Sequence, residues 1–123
     1  MDITPLISSK NAVIQSYAAQ GFKISGNFYA TPVLVTPTKV SAWENGDFDA
    51  LKSTHLSLLP AQTDVLFIGT GKTMRHLPAA LKAELKAQKI NVETMDTGAA
   101  CRTFNVLMSD ERQIAALLFL PRD

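Results

Sequence analysis

Cysteine, excess charge of either sign and long apolar runs are all scarce in this chain. Its 123 residues include one cysteine, Cys101, so no disulfide can form within the chain, as is usual in reducing compartments. Twelve Lys and Arg residues balance eleven Asp and Glu residues, too evenly for the basic surface of a nucleic-acid-binding protein. The longest apolar run, Ile114 to Leu120, falls far short of the roughly 20 residues that cross a membrane. We therefore predict no nucleic-acid partner and no membrane span.

Secreted proteins and proteins that bind a metal or a cofactor are also disfavoured, because the sequence lacks their signals. The first residues have no charged segment followed by an apolar stretch, so we expect no secretory signal and a cytoplasmic protein. Two histidines and one cysteine without metal-ligand spacing predict no metal site, and we expect no cofactor. The composition, 46% hydrophobic and 19% charged, is typical of one globular domain over residues 1–123. Monomer and weak dimer both stay open.

An unbroken apolar run that ends in glycines, Asp64 to Gly71 (DVLFIGTG), organises the predicted fold. Such a run is typical of a strand that is buried on both faces of a parallel or mixed sheet. We interpret it as the central strand. Pro78 then fits the first turn of a helix, and Ile90 to Met95 follows as a strand, which together predict a right-handed parallel unit.

The remaining segments complete an α/β domain. Alternating apolar residues broken by glycines predict a meander of antiparallel strands over Val13 to Tyr29. Further strands are predicted at residues 33–37, at residues 39–43 and, beside the central strand, at Gln113 to Leu120. Helices are predicted over Phe48 to Leu59 and, after an N-cap at Asp96, over Ala99 to Leu107.

Two polar loops follow neighbouring strands at their carboxyl ends, where open α/β sheets bind ligands. If the loops meet, their side chains would form a small electropositive pocket for a carboxylate or phosphate. We predict a ligand-binding crevice made of Gly69, Thr70, Gly71, Lys72, Arg75, His76, Asp96, Thr97 and Arg102. The architectural alternative also stays open: the glycines let the chain leave a crowded sheet, Asp96 caps a helix, and the basic side chains are solvated.

Two motifs resemble nucleotide-binding signatures, but each lacks a glycine that the signature requires. The sequence GTGKT at residues 69–73 copies the end of a phosphate-binding P-loop, but that motif needs a glycine where Leu66 stands. A dinucleotide fingerprint fails likewise, because Met74 occupies the position of its third glycine. Cys101 lies near a predicted helix N-terminus, which favours a reactive thiolate, yet it has no evident base and free cysteines are usually buried. We predict no catalytic residue.

The chain resembles the Mth-domain family, a group of unknown function. The likeness rests on GFKISGNFY at residues 21–29, VLVTP at 33–37, LFIGTGK at 66–72 and above all MDTGAACRTFNVL at 95–107, together with Trp43, Pro78 and Arg112. Members include the mitochondrial complex I (NADH:ubiquinone oxidoreductase) assembly factor three and the adipogenesis-associated Mth-domain protein. The resemblance implies a three-layer (β+α/β/α) fold, with a central mixed sheet of about five strands, helices on one face and a small antiparallel β layer on the other. It implies no reaction.

Two functions stay open at this point. The first, which we predict, is a non-catalytic protein-interaction or complex-assembly module, similar to complex I assembly factors, that binds a protein partner through an exposed sheet edge or the Trp43 surface. The second is an enzyme or sensor that holds a small anionic ligand in the crevice. Convergence of Arg75, His76 and Arg102 on one open crevice would favour the second.

Overall fold

Two sheets and two helices make up the computed structural model, which describes residues 11–56, 59–60, 62–110 and 112–122. The small antiparallel sheet contains β1 (Ile14–Ala18), β2 (Gly21–Ile24) and β3 (Asn27–Tyr29). The larger sheet has the order β5-β4-β8-β6-β7, formed by β4 (Val33–Thr36), β5 (Lys39–Ala42), β6 (Val65–Gly69), β7 (Val92–Met95) and β8 (Ile114–Leu118). The helices are α1 (Ala79–Ala87) and α2 (Thr97–Ser109). Within the described residues, neither is long and apolar enough to cross a membrane.

The larger sheet is mixed, as predicted. Strand β6 runs parallel to both β7 and β8, whereas β4 is antiparallel to β5 and β8. Strand β8, not β6, occupies the middle of the sheet, so the prediction that residues 64–71 form the central strand is wrong by one place. The two strands are both buried at every residue, so apolar content alone could not rank them.

The helices lie on opposite faces of the larger sheet. The connection from β6 through α1 leads outward to β7, and the connection from β7 through α2 leads back across β6 to β8. Because right-handed crossovers in opposite directions place their helices on opposite faces, α1 and α2 cannot share one. The three-layer α/β fold is confirmed, and the layer opposite α1 contains α2 beside the small sheet rather than the small sheet alone.

The side chains of β6 pack into two separate cores because they alternate between the two faces of the sheet. Phe67 packs with α2 and the small sheet, in a cluster that includes the fully buried Phe22 and Phe104. Leu66 and Ile68 pack on the other face, together with α1 and the segment after β5. The small sheet and α2 therefore form one layer over one core.

The segment after β5 differs from the predicted helix over residues 48–59. It forms two 3-10 helices, Phe48–Ala50 and Ser53–Leu56, while residues 57 and 58 lie outside the described part of the chain. Leu51 between them is extended, with φ −66° and ψ 132°, and this break lets the segment lie across Trp43. Trp43 is only 5% exposed, and its ring is nearly perpendicular to that of His55, with 5.8 Å between the ring centroids. Of the two partner surfaces predicted, an exposed sheet edge or the Trp43 surface, the second is therefore wrong.

Candidate functional site

The predicted crevice lies where the chain leaves β6 and β7 toward opposite faces of the sheet, the usual ligand position in such folds. Here the two loops are bonded to each other. The Thr97 N–H donates to the Gly71 carbonyl at 2.8 Å, and the Gly71 N–H donates to the Thr97 hydroxyl at 2.8 Å. This reciprocal pair joins the first loop to the start of α2.

Thr97 is fully buried and its hydroxyl is satisfied in both directions. Besides accepting from Gly71, the hydroxyl donates to the carbonyl of Phe119, which follows β8, at 2.7 Å. One side chain therefore connects the ends of β6 and β8 to the start of α2. A buried hydroxyl with both partners inside the protein is typical of an architectural residue.

Thr70 closes the first loop on itself. Its N–H donates to the Met95 carbonyl at 2.9 Å, and its hydroxyl accepts from the Arg75 N–H at 2.9 Å while lying 2.8 Å from the Thr73 carbonyl. Thr70 is 4% exposed. Its polar groups thus bind the chain on either side instead of facing an open cavity.

Gly69 and Gly71 are required for different reasons, a close approach at Gly69 and a backbone conformation at Gly71. A Cβ at Gly69 would lie 2.9 Å from the Thr97 Cα and 3.2 Å from the Ala100 Cβ, too close for any side chain. Gly71 has φ +116°, a conformation that residues with a side chain rarely adopt. Gly69 therefore lets α2 pack tightly against the end of β6, and Gly71 lets the backbone turn after that strand.

The predicted basic residues point to different places. Arg75 pairs with the Asp49 carboxylate at 2.5 Å and lies over the Phe48 ring, 4.6 Å from its centroid. Arg102 donates to the Tyr17 hydroxyl of β1 at 2.6 Å. His76 borders a groove beside α1. The convergence that would favour an anion pocket is therefore not formed by these three side chains.

The two remaining members are an N-cap and an exposed lysine. Asp96 caps α2, as predicted, by accepting from the Ala99 N–H at 2.9 Å, so the helix begins two residues earlier than expected. Lys72 is exposed in the first loop. The structure thus gathers Gly69, Thr70, Gly71 and Thr97 into one bonded cluster, with Asp96 capping the adjoining helix. Ligand binding by the predicted set stays a prediction.

Cys101 lies on the buried side of α2 and is 1% exposed. Burial raises the pKa of its thiol to about 12, which outweighs the lowering by the charge of Arg102. A thiol with this pKa is neutral near pH 7 and is a poor nucleophile. Among the residues that the structure describes, no three His, Cys, Asp or Glu side chains are grouped so that they could hold a metal ion.

Asn105 was not predicted, although it connects α2 to the small sheet. Its side-chain amide donates to the Ile14 carbonyl at 2.8 Å and accepts from the Ile14 N–H at 3.0 Å. The sequence signal is a polar residue next to the apolar face of α2, directly after Phe104. Nothing in the local pattern identifies its partner, which is 91 residues away.

A groove of about 460 Å³ between α1 and β7 was also missed. Its floor is apolar and includes Leu85 and Val92, and its wall along α1 carries Lys82 and Lys86. The exposed lysines of α1, Lys82 and Lys86, are the sequence signal that could have located this wall. The groove is separate from the loop cluster, and its lining includes only His76 of the predicted site residues.

The chain is similar to an animal assembly factor and to a bacterial protein. It is 40% identical over 117 residues to NADH dehydrogenase (ubiquinone) 1 alpha subcomplex assembly factor 3 of Danio rerio, covering 93% of this chain and 67% of that protein. It is 36% identical over 109 residues to an uncharacterized protein of Rhodobacter capsulatus, covering 88% of this chain and 85% of that one.

The fold is shared with the solution NMR structure of a Mth938-like domain from Bordetella pertussis. That structure is 21% identical, with a TM-score of 0.76, over 94% of this chain and 89% of that one. Residues 14–119 match the family described as "protein of unknown function (DUF498/DUF598)". The resemblance to Mth-domain proteins is thereby confirmed, and the chain belongs to the DUF498/DUF598 family.

Proposed function

We propose that the chain is a non-catalytic protein-interaction module that assists the assembly of a multisubunit complex in the cytoplasm. The observation that carries this proposal is the bonded cluster at the switch point of the sheet. Thr70, Gly71 and Thr97 use their polar groups on one another and on neighbouring carbonyls. A site where ligands usually bind in such folds is here used to hold the fold together.

The relatives support the same proposal. The similar protein of Danio rerio is named as an assembly factor of NADH dehydrogenase, and assembly factors of the same name from other animals are 31 to 36% identical. This chain spans about 60% of the bovine, mouse and human proteins. The complex on which it acts is therefore part of the proposal, and NADH dehydrogenase is the first to test.

The proposed cytoplasmic location is supported by the single cysteine of the chain. Cys101 is buried and cannot form a disulfide within the chain, which suits a compartment that keeps thiols reduced. The neutral thiol also removes the one candidate nucleophile that the sequence offered. The second point supports binding rather than turnover.

The proposal is tested by deleting the gene in its own host and restoring it from an inducible promoter. We expect the assembled NADH dehydrogenase, measured on native gels, to fall in the deletion strain while individual subunits are still synthesised. Assembly should recover in proportion to the amount of the restored protein, because a binding module acts by stoichiometry.

An enzyme would behave differently, since trace amounts that turn over would restore full assembly. Val106→Ala, at an exposed position on α2, is the matched control and should complement as the wild type does. Normal assembly in the deletion strain contradicts the proposed complex. Full recovery at trace expression contradicts the non-catalytic mechanism.

A further inference from the structure

Strand β7 leaves one side of the larger sheet open. It pairs with β6, and no other described strand lies against its outer edge. Exposed edges of this kind accept an added strand, and proteins usually protect them with proline, a bulge or charge pointing along the edge. Residues 92–95 contain no proline, and their pairing with β6 runs in regular register.

The backbone groups of β7 that pair with no other described strand belong to the residues that also border the groove. The Asn91 and Met95 carbonyls accept from β6 and from the residue after it, through Leu66 and Thr70. Because hydrogen-bonding direction alternates along a strand, Val92 and Thr94 direct their N–H and C=O groups outward. The side chains of Val92 and Thr94 line the groove, so an added strand would send alternate side chains into it.

The groove carries positive charge on one wall. Lys82, Lys86 and Lys89 line it together with His76, and none of the described residues in its lining is acidic. Two acids are adjacent in sequence to lining residues, Glu84 on α1 and Glu93 on β7, and neither lines the groove. Glu93 alternates to the opposite face of β7. Lysines four residues apart on one helix repel each other mildly, and an acidic partner would relieve that repulsion.

The spacing of these lysines matches that of an added strand. Lys82 and Lys86 are four residues apart on α1, which is about 6.0 Å along the helix axis. Alternate residues of a strand are about 6.6 Å apart. Acidic side chains at positions i and i+2 of a strand on β7 would therefore each meet one lysine while their methylene groups cover the apolar floor formed by Leu85 and Val92.

The geometry points to β7 as the docking edge for an extended peptide segment that carries acidic residues at alternate positions. The segment forms backbone hydrogen bonds with Val92 and Thr94, and its carboxylates pair with Lys82 and Lys86. This inference rests on the proposed function, because it names the surface and the chemistry through which the module would hold its partner.

Selection of random peptides displayed on phage against the full-length chain tests the inference without assuming a partner. We expect the enriched peptides to carry two acidic residues two positions apart, within an otherwise apolar stretch free of proline. Synthetic versions should bind more weakly as salt rises. Amide hydrogen exchange at Val92 and Thr94 should slow when peptide is bound.

Two variants and a control locate the binding. Lys82→Glu/Lys86→Glu should weaken the selected peptides by at least about tenfold, whereas Lys23→Glu/Lys39→Glu makes the same change in net charge away from the groove and should leave binding unchanged. Thr94→Pro removes an N–H that points away from β6, a position where an edge strand tolerates proline, and should abolish binding. If Thr94→Pro does not fold, the comparison of Lys82→Glu/Lys86→Glu with its control tests the inference by itself.

Enrichment of peptides without the acidic pattern, or equal binding by wild type and Lys82→Glu/Lys86→Glu, overturns the inference. So does a groove that binds dodecanoate while no peptide is enriched, since its occupant would then be a small amphiphile. The assembly assay on native gels is independent of these readouts. If the chain supports assembly but selects no acidic peptide, the docking edge is contradicted and the proposed function is not.

Discussion

The side chain of Asn105 binds the backbone of Ile14 as a neighbouring strand would, donating to its carbonyl at 2.8 Å and accepting from its N–H at 3.0 Å. The contact lies at an irregularity in the pairing of β1 with β2. It supplies partners to backbone groups at the point where the small sheet meets α2.

We expect Asn105→Ala to destabilise the fold by about 1 to 3 kcal/mol, because it leaves two partly buried backbone groups of Ile14 without their partners. Urea unfolding measures the change in the free energy of unfolding. Val106→Ala, at the next position of the same helix but 62% exposed, is the control and should change it by less than about 0.5 kcal/mol. Equal stability of the two variants would contradict the structural role of Asn105.

Thr97→Val removes a hydroxyl that both accepts from Gly71 and donates to Phe119. Because two buried groups are left unpaired, at about 1 to 3 kcal/mol each, we expect a loss of about 2 kcal/mol or more. Thermal unfolding provides the measurement. Thr97→Ser keeps the hydroxyl and should retain most of the wild-type stability, and a Ser variant as unstable as the Val variant would show that the methyl group matters instead.

The raised pKa of the Cys101 thiol predicts that the folded protein loses stability at alkaline pH. Its pKa is about 12 in the folded protein, against 9.0 as its ordinary value. Between these values the unfolded chain releases the proton and the folded chain retains it, so stability is complete below pH 9 and falls as pH rises toward 12. The slope is about 1.4 kcal/mol per pH unit. The measured quantity is the difference in stability between the wild type and Cys101→Ala, which should lack this component. Parallel stability profiles for the two proteins would contradict the prediction.

Phosphate binding tests the predicted crevice directly. A ligand at about 100 times its dissociation constant stabilises a protein by about 2.7 kcal/mol, which thermal unfolding resolves easily. Because Arg75 and Arg102 are engaged with Asp49 and Tyr17, we expect millimolar phosphate to shift the wild type and Arg102→Ala equally and slightly. A shift of several degrees in the wild type that disappears in Arg102→Ala would establish the crevice as a ligand site.

Local sequence patterns predicted most strands and both long helices because each carries its own periodicity or cap. Asp96, for example, caps α2 as its position before a helical pattern indicates. Strand β6 was identified by its burial, but its place in the sheet depends on β8, whose apolar pattern is equivalent. The order of two fully buried strands is a tertiary property that neither segment encodes alone.

The predicted site likewise separates features that the local sequence predicts from features that depend on tertiary structure. Thr97 and Gly71 were grouped correctly, since the carboxyl ends of parallel strands must lie together. The directions of Arg75 and Arg102 were not predictable, because their partners, Asp49 and Tyr17, lie 26 and 85 residues away. The 3-10 segment was missed for a related reason: Leu51 is extended and packs in the core with Trp43, a contact that the local pattern does not encode.

The position of β8 has a consequence for biosynthesis. Its neighbours, β4 on one side and β6 on the other, both precede it along the chain, and the described strands of the two halves are joined in the sheet through it. A nascent chain that has not yet exposed residues 114–118 therefore holds two incomplete sheets with unpaired inner edges. Closure of the sheet therefore requires these five residues, and until they pair with β4 and β6 the two inner edges are exposed to aggregation.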